Sequence, residues 1–146
     1  TNREPEIYEK DYVFQIGKAV TLREGKDVTL IGTGSILKDI LDVTVQLEDE
    51  GISARVINMH TIKPVDKETI IRAVEETGRV IAVEDHNIIG GLGSAIAEVI
   101  AEYDMGTKFR RVGLNGFSEG YGTYEEVKKN NYICKNEIID TIMQII

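Results

Sequence analysis

One cysteine, Cys134, and two histidines, His60 and His86, are the whole supply of bridging and soft metal-binding side chains in these 146 residues. An internal disulfide is impossible, and neither a disulfide scaffold nor a structural zinc site can be assembled. Positive charge is also short. Seventeen Lys and Arg stand against 25 Asp and Glu, a formal net charge of -8. No face carries enough cations to neutralise a phosphate backbone, which argues against a nucleic-acid partner. The excess of negative charge fits a soluble protein kept dispersed by repulsion. No apolar run approaches the roughly 20 residues that cross a bilayer, so no membrane partner is expected. No signal peptide is visible, and with a lone thiol the expected location is cytoplasmic.

What is present reads as a single α/β domain, long enough for a full hydrophobic core. The first residues, 1–5 (TNREP), resemble a linker. Residues 1–14 are expected to form an arm with apolar anchors at Ile7, Tyr8 and Tyr12, ahead of a domain over 15–146. The whole is expected to be part of a longer protein. Residues 14–16 and 19–23 suggest a short strand or hairpin, and 28–31 (VTLI) a buried strand. A helix is expected from Ser35, with Ile36, Leu37, Ile40, Leu41, Thr44 and Leu47 on one face and a stop at Glu50-Gly51. The next strand is 54–59. Asp66 then caps a helix that ends at Gly78, with Val65 stapled to Ile70. Residues 109–114 give another strand and Asn115-Gly116 a turn. The run 123–126 (TYEE) fits a capping box, and Asn136 is the expected cap of a last helix carrying Ile138, Ile139, Ile142 and Ile146. Strands alternating with helices predict a three-layer α/β/α fold around a mostly parallel, five-stranded sheet.

The most informative stretch is 79–103 (RVIAVEDHNIIGGLGSAIAEVIAEY). A continuous apolar run, 80–83, leads into Glu84, Asp85 and His86, then into a glycine-rich turn and a helix with Ala95, Ile96, Val99, Ile100 and Tyr103 on one face. Polar groups at the C-terminal end of a strand are where open α/β sheets place their sites. A dinucleotide fingerprint fails here, because the place of its third glycine holds Ile96. It fails also after Gly32 and Gly34, where that place holds Leu37 and the next strand ends in Asn58-Met59-His60 rather than an acid. A Ser–His–acid triad would need Ser94, Ser35 or Ser118, and none sits in a nucleophile elbow. No catalytic residue is assigned. Free N–H groups at Gly90, Gly91, Gly93 and Ser94 could contact an anion, although Glu84 and Asp85 would repel one. The alternative is that Glu84, His86, Gly90, Gly91, Gly93 and Ser94 form a contact loop for another domain or subunit.

Several runs resemble the C-terminal domain of transketolase-like thiamine diphosphate enzymes: 23–31 (REGKDVTLI), 50–66 (EGISARVINMHTIKPVD) and, most specifically, 83–95 (VEDHNIIGGLGSA). They occur in the family's order, and 112–120 (VGLNGFSEG) extends the likeness. The run 120–124 (GYGTY) departs from the family's usual Ser-Gly or Ser-Ala-Pro turn. The resemblance implies a parent transketolase of pentose phosphate metabolism, a dimer or heterotetramer that moves a two-carbon ketol unit between sugar phosphates. It also implies that thiamine diphosphate and a divalent metal such as Mg are held by the parent's other domains. The diphosphate motif and the activating glutamate are absent from this chain, so no cofactor is expected to bind it, and its role would be to organise the dimer and support the cofactor domains. Two other parents share this domain, the 2-oxoacid dehydrogenase β subunit and deoxyxylulose-phosphate synthase. A stand-alone regulatory module that binds a small molecule at Gly90–Ser94 is the reading from a different class.

Overall fold

The computed structural model describes residues 6–8, 12–118, 120–131 and 133–146. Four parallel strands, β2 (Val28–Gly32), β3 (Ala54–Asn58), β4 (Arg79–Asn87) and β5 (Lys108–Leu114), and one antiparallel edge strand, β1 (Val20–Arg23), form a sheet in the order β1-β3-β2-β4-β5. The expected architecture is the observed one. Alternation along each strand sorts the side chains into two cores. Leu30, Val56, Ile81 and Val83 meet α1 (Leu37–Asp49) and α5 (Lys135–Met143) on one face. Ile31, Ile57, Val80 and Ala82 meet α2 (Lys67–Thr77) and α3 (Leu92–Glu102) on the other. Central strands buried on both faces explain why 28–31 and 80–83 are unbroken apolar runs.

The connections leave β2 and β4 in opposite directions. From β2 the chain crosses through α1 to β3, and from β4 it crosses through α3 to β5 on the other face of the sheet. The C-terminal ends of β2 and β4 therefore flank the switch point of the sheet, where a crevice opens between diverging loops. Gly34 and Ser35 lie on one lip, Glu84 and Asp85 on the other.

Several local expectations need correction. Residues 14–16 form no strand. Lys18 N–H donates to Gln15 O, closing a turn that feeds the chain directly into β1, and β1 pairs with β3. The helix expected from Ser35 begins with a short 3-10 turn over Gly34–Ile36, and α1 proper starts at Leu37. This tighter entry lets Ile36 and Leu37 both reach the core. Val43, a weak helix former, is fully buried on α1, so packing overrides propensity. Tyr103 follows the last residue of α3 and is half exposed, off the apolar face assigned to it. Asn136 is not a cap. Helix α5 starts at Lys135 with Cys134 before it, because buried Ile133 and the Lys135–Asp42 ion pair (2.6 Å) set its start from α1. Of the arm, residues 1–5 and 9–11 lie outside the described residues. Ile7 packs on the α1-side core, and Tyr8 accepts a hydrogen bond from Asn58 Nδ2 (2.6 Å).

Asp66 caps α2 as expected, and it does more. Its buried carboxylate accepts from Thr69 N–H (3.2 Å), from the Thr69 hydroxyl (2.9 Å) and from Ala19 N–H (2.9 Å), tying the start of β1 to the start of α2. Burial pushes this carboxyl up, but the donors from Ala19 and Thr69 outweigh it and hold it below the ordinary aspartate range. Their stabilisation is complete above the ordinary value of about 4 and is lost as pH falls through the lowered folded value. Asp66→Ala should lower the melting temperature at neutral pH by roughly 3–8 °C. It should also remove part of the acid destabilisation that the parent protein shows below about pH 4. Thermal melts across that range check both, and a variant melting with the parent would refute the double role of Asp66.

Candidate functional site

The strand that carries the apolar run 80–83 continues to Asn87. That extension decides the fate of every polar residue in the cluster. Glu84 points to the α3 side and is buried, with 1% of its surface exposed. Its carboxylate accepts from Leu92 N–H (2.8 Å, Oε2) and Gly93 N–H (2.9 Å, Oε1), the first two free donors of α3. A carboxylate there satisfies orphan N–H groups and complements the positive end of the helix dipole. The anion that the glycine turn could hold is thus the chain's own side chain. Gly91 is needed for this approach, since a Cβ at that position would lie 2.0 Å from Glu84 Oε2. A Cβ on Gly93 would lie 2.6 Å from Arg111 Cδ, whose stem covers the turn.

The rest of the turn is stapled shut. Ser94 Oγ donates to Ile88 O (2.9 Å) and accepts from Gly90 N–H (3.0 Å), while Arg111 Nη1 donates to Ile88 O (2.8 Å). Ser94 is therefore a loop staple. Neither Ser94 nor Glu84 is bonded to His86, which is exposed one residue beyond the sharp change of face. Among the described residues, Ser94 and Glu84 bond to Ile88 and to the start of α3 rather than to His86.

Asp85 points the other way, to the α1 side. Its Oδ2 accepts from the Ser35 hydroxyl and from Tyr124 OH (2.6 Å), and the two hydroxyls lie 2.7 Å apart. Tyr124 opens α4 (Tyr124–Asn130), where the expected capping box is present, with Thr123 Oγ1 accepting from Glu126 N–H. Burial and the bond to Asp85 push the Tyr124 phenol up to about 12, so it remains a donor at any ordinary pH. The sequence signal for Ser35 was its place after Gly34 beyond a strand. Nothing local marks Tyr124, because its contact with Asp85 spans 39 positions.

Among the described residues, no group of three or more His, Cys, Asp or Glu could hold a metal ion. At the glycine turn, the N–H groups of Leu92 and Gly93 already face Glu84, and that of Gly90 faces Ser94. The site as built orders the loops at the C-terminal ends of β2 and β4.

Glu84→Ala leaves two buried N–H groups without an acceptor and should cost roughly 2–4 kcal/mol of unfolding free energy. Glu84→Gln should cost less, because one of its two acceptor positions survives. Gly91→Ala should resemble Glu84→Ala, since the added methyl displaces the carboxylate. Urea denaturation measures all three, and a change within about 0.5 kcal/mol for Glu84→Ala, the size of an ordinary surface substitution, would remove Glu84 from this role.

The family model for the transketolase C-terminal domain matches residues 17–138. An apulose-4-phosphate transketolase subunit from Actinobacillus succinogenes is 36% identical over 142 residues, 97% of this chain and 46% of that protein. The 1-deoxy-D-xylulose-5-phosphate synthase of Halothermothrix orenii is 39% identical over 132 residues, 90% of this chain and 21% of that protein. Among solved structures, a split-gene transketolase described as an inactive β4 tetramer superposes with a TM-score of 0.90 at 34% identity, covering 97% of this chain and 46% of that one. The chain thus spans less than half the length of these relatives. The match covers the sheet, the flanking helices and the Glu84-capped turn alike, and the chain belongs to the transketolase C-terminal domain family.

Proposed function

We propose that this chain is the C-terminal, non-catalytic part of a transketolase, in which it organises the assembly and supports the domains that hold the cofactor. The observation that carries this is the near-complete superposition on a split-gene transketolase at 34% identity. The parent enzyme transfers a two-carbon ketol unit between sugar phosphates. Thiamine diphosphate supplies the carbanion stabilisation for that chemistry, with a divalent metal, in the other domains. The residues of this chain take no part in the transfer itself. Residues 1–14 serve as the arm leading into the domain. The loop with His86 and Gly90–Ser94 lies against a neighbouring domain or subunit, with Glu84, Gly91 and Gly93 as its internal frame. No helix among the described residues is long and apolar enough to cross a membrane, and we place the enzyme in the cytoplasm as a dimer or heterotetramer.

A second reading keeps the domain and changes the parent to a 1-deoxy-D-xylulose-5-phosphate synthase, favoured by 39% identity to such an enzyme across most of this chain. Product analysis with the complete enzyme separates the two. Ketol transfer between sugar phosphates supports the transketolase, and formation of 1-deoxy-D-xylulose 5-phosphate supports the synthase. The chain alone, supplied with thiamine diphosphate and Mg, should neither catalyse transfer nor show saturable cofactor binding by calorimetry. Either activity in the isolated chain would overturn the assignment of the chemistry to other domains.

A further inference from the structure

The sheet is covered unevenly on its α2 side. Helix α2 packs on β2 and β4, which leaves the outer strands β3 and β1 open beyond its flank. Alternation puts Arg55 on the same face of β3 as buried Ile57, and Thr21 of β1 pairs with Ile57. These three residues floor a cleft. Arg72 and Glu76, one turn apart on α2, form its wall, and Glu24, which follows β1, closes one end. Its volume is about 230 Å³, small for an organic ligand of drug size and suited to a compact polar one.

Arg55 is the unusual member. Its side chain is only 11% exposed, so the guanidinium has lost most of its water. Two carboxylates offset part of that loss: Glu76 Oε2 lies 2.5 Å from Nη2, and Glu24 Oε2 lies 3.3 Å from Nε. The contact with Glu24 closes no hydrogen bond, and Nε is left buried without an acceptor. Among the described residues Nη1 makes no hydrogen bond either. A buried charged donor without an acceptor is costly. Where such a group borders a cavity, an acceptor inside the cavity resolves the deficit.

Arg72 brings a second guanidinium to the same cleft. It is exposed and joins no ion pair among the described residues. Thr21 adds a hydroxyl. The cleft is not an anion trap by net charge, since Glu24 and Glu76 balance the two arginines. Recognition has to come from donor geometry. Both carboxylates are engaged with Arg55 and hold it in place, which presets the direction of its remaining N–H groups. We propose that this cleft binds a small oxyanion, a phosphate or a carboxylate, between the guanidinium groups of Arg55 and Arg72, with the Thr21 hydroxyl as a third donor. The planar fork of a guanidinium matches either group with two parallel hydrogen bonds. The site shares no residue with the Glu84 and Asp85 clusters, and it does not depend on the transketolase reading.

The test is an NMR titration of the chain with sodium phosphate and, separately, with sodium succinate, ionic strength being held constant with sodium chloride. Amide shifts should saturate and be largest around Thr21, Arg55 and Arg72. Saturation by either salt supports the site, and the tighter of the two names the group it takes. Arg72→Ala changes an exposed position, so the circular dichroism spectrum should be unchanged. It should weaken binding at least about tenfold, the effect of losing one charge-assisted hydrogen bond. Arg55→Lys keeps the charge without the fork and should weaken binding as much. Arg110→Ala removes an exposed arginine on β5, outside the cleft, and should bind as the parent does. Shifts that rise linearly with both salts mean that the cleft holds water alone, and the proposal fails. It fails equally if Arg72→Ala binds like the parent, or if Arg110→Ala weakens binding as much as Arg72→Ala.

Discussion

The Glu84 carboxylate, buried at the N-terminus of α3, is the contact on which the rest of the site depends. An ionised carboxylate removed from water is costly unless it is hydrogen-bonded and its charge is met. Here two main-chain donors at 2.8 and 2.9 Å and the positive end of a helix meet it. The geometry has three consequences. Gly91 has to lack a side chain, because the carboxylate occupies that space. The strand has to run on past the apolar run to deliver Glu84, and β4 spans nine residues, Arg79–Asn87. Strand alternation then throws Asp85 onto the opposite face. One buried charge thus converts a run of three polar residues into three separate environments.

Asp85 carries the order to the α1 side, where the packing is unusually polar. Residues 115–126 are exposed throughout, among those described, so α4 cannot be docked by apolar burial alone. It is held by the Ser35–Asp85–Tyr124 hydroxyl cluster and by Lys128, whose ammonium lies 2.6 Å from Asp39 and 3.0 Å from Glu125. Burial alone would lower the Lys128 pKa, yet Asp39 and Glu125 outweigh it and hold the ammonium above its usual range. A second ion pair, Lys135 to Asp42 at 2.6 Å, ties α5 to the same helix. Pairs of this kind contribute modestly to net stability but fail expensively when one partner is removed. They fix where α4 and α5 sit on α1.

The five strands, their mostly parallel order, the Asp66 cap, the Gly78 stop and the Thr123 capping box were all legible in the sequence. Each rests on a local signal, an apolar run or a cap residue at a set spacing. The errors fall where local signals lose to tertiary contacts. Asn136 had the right chemistry for a cap, but Ile133 and Lys135 had already fixed the start of α5. Residues 14–16 had strand-like composition and no strand beside them to pair with. The site was half legible. The sequence reading treated the Glu84 carboxylate as a repelling neighbour of the glycine turn, whereas the folded chain seats it on the N–H groups of Leu92 and Gly93. Tyr124 could not be found, since only the folded chain brings it to Asp85.

The same physics explains why this edge of the sheet resembles an active site. A switch-point crevice concentrates loop ends, helix N-termini and polar side chains, whatever they are used for. In a catalytic site those groups would keep free valences pointed at a substrate. Here they are closed on one another: Glu84 on α3, Asp85 on Ser35 and Tyr124, Ser94 on Ile88 and Gly90. Ile89, Phe117 and Tyr121 remain open to the outside at this edge, among exposed polar residues such as His86 and Asn115. A polar network satisfied internally makes this edge rigid, because each loop end is held by hydrogen bonds to another.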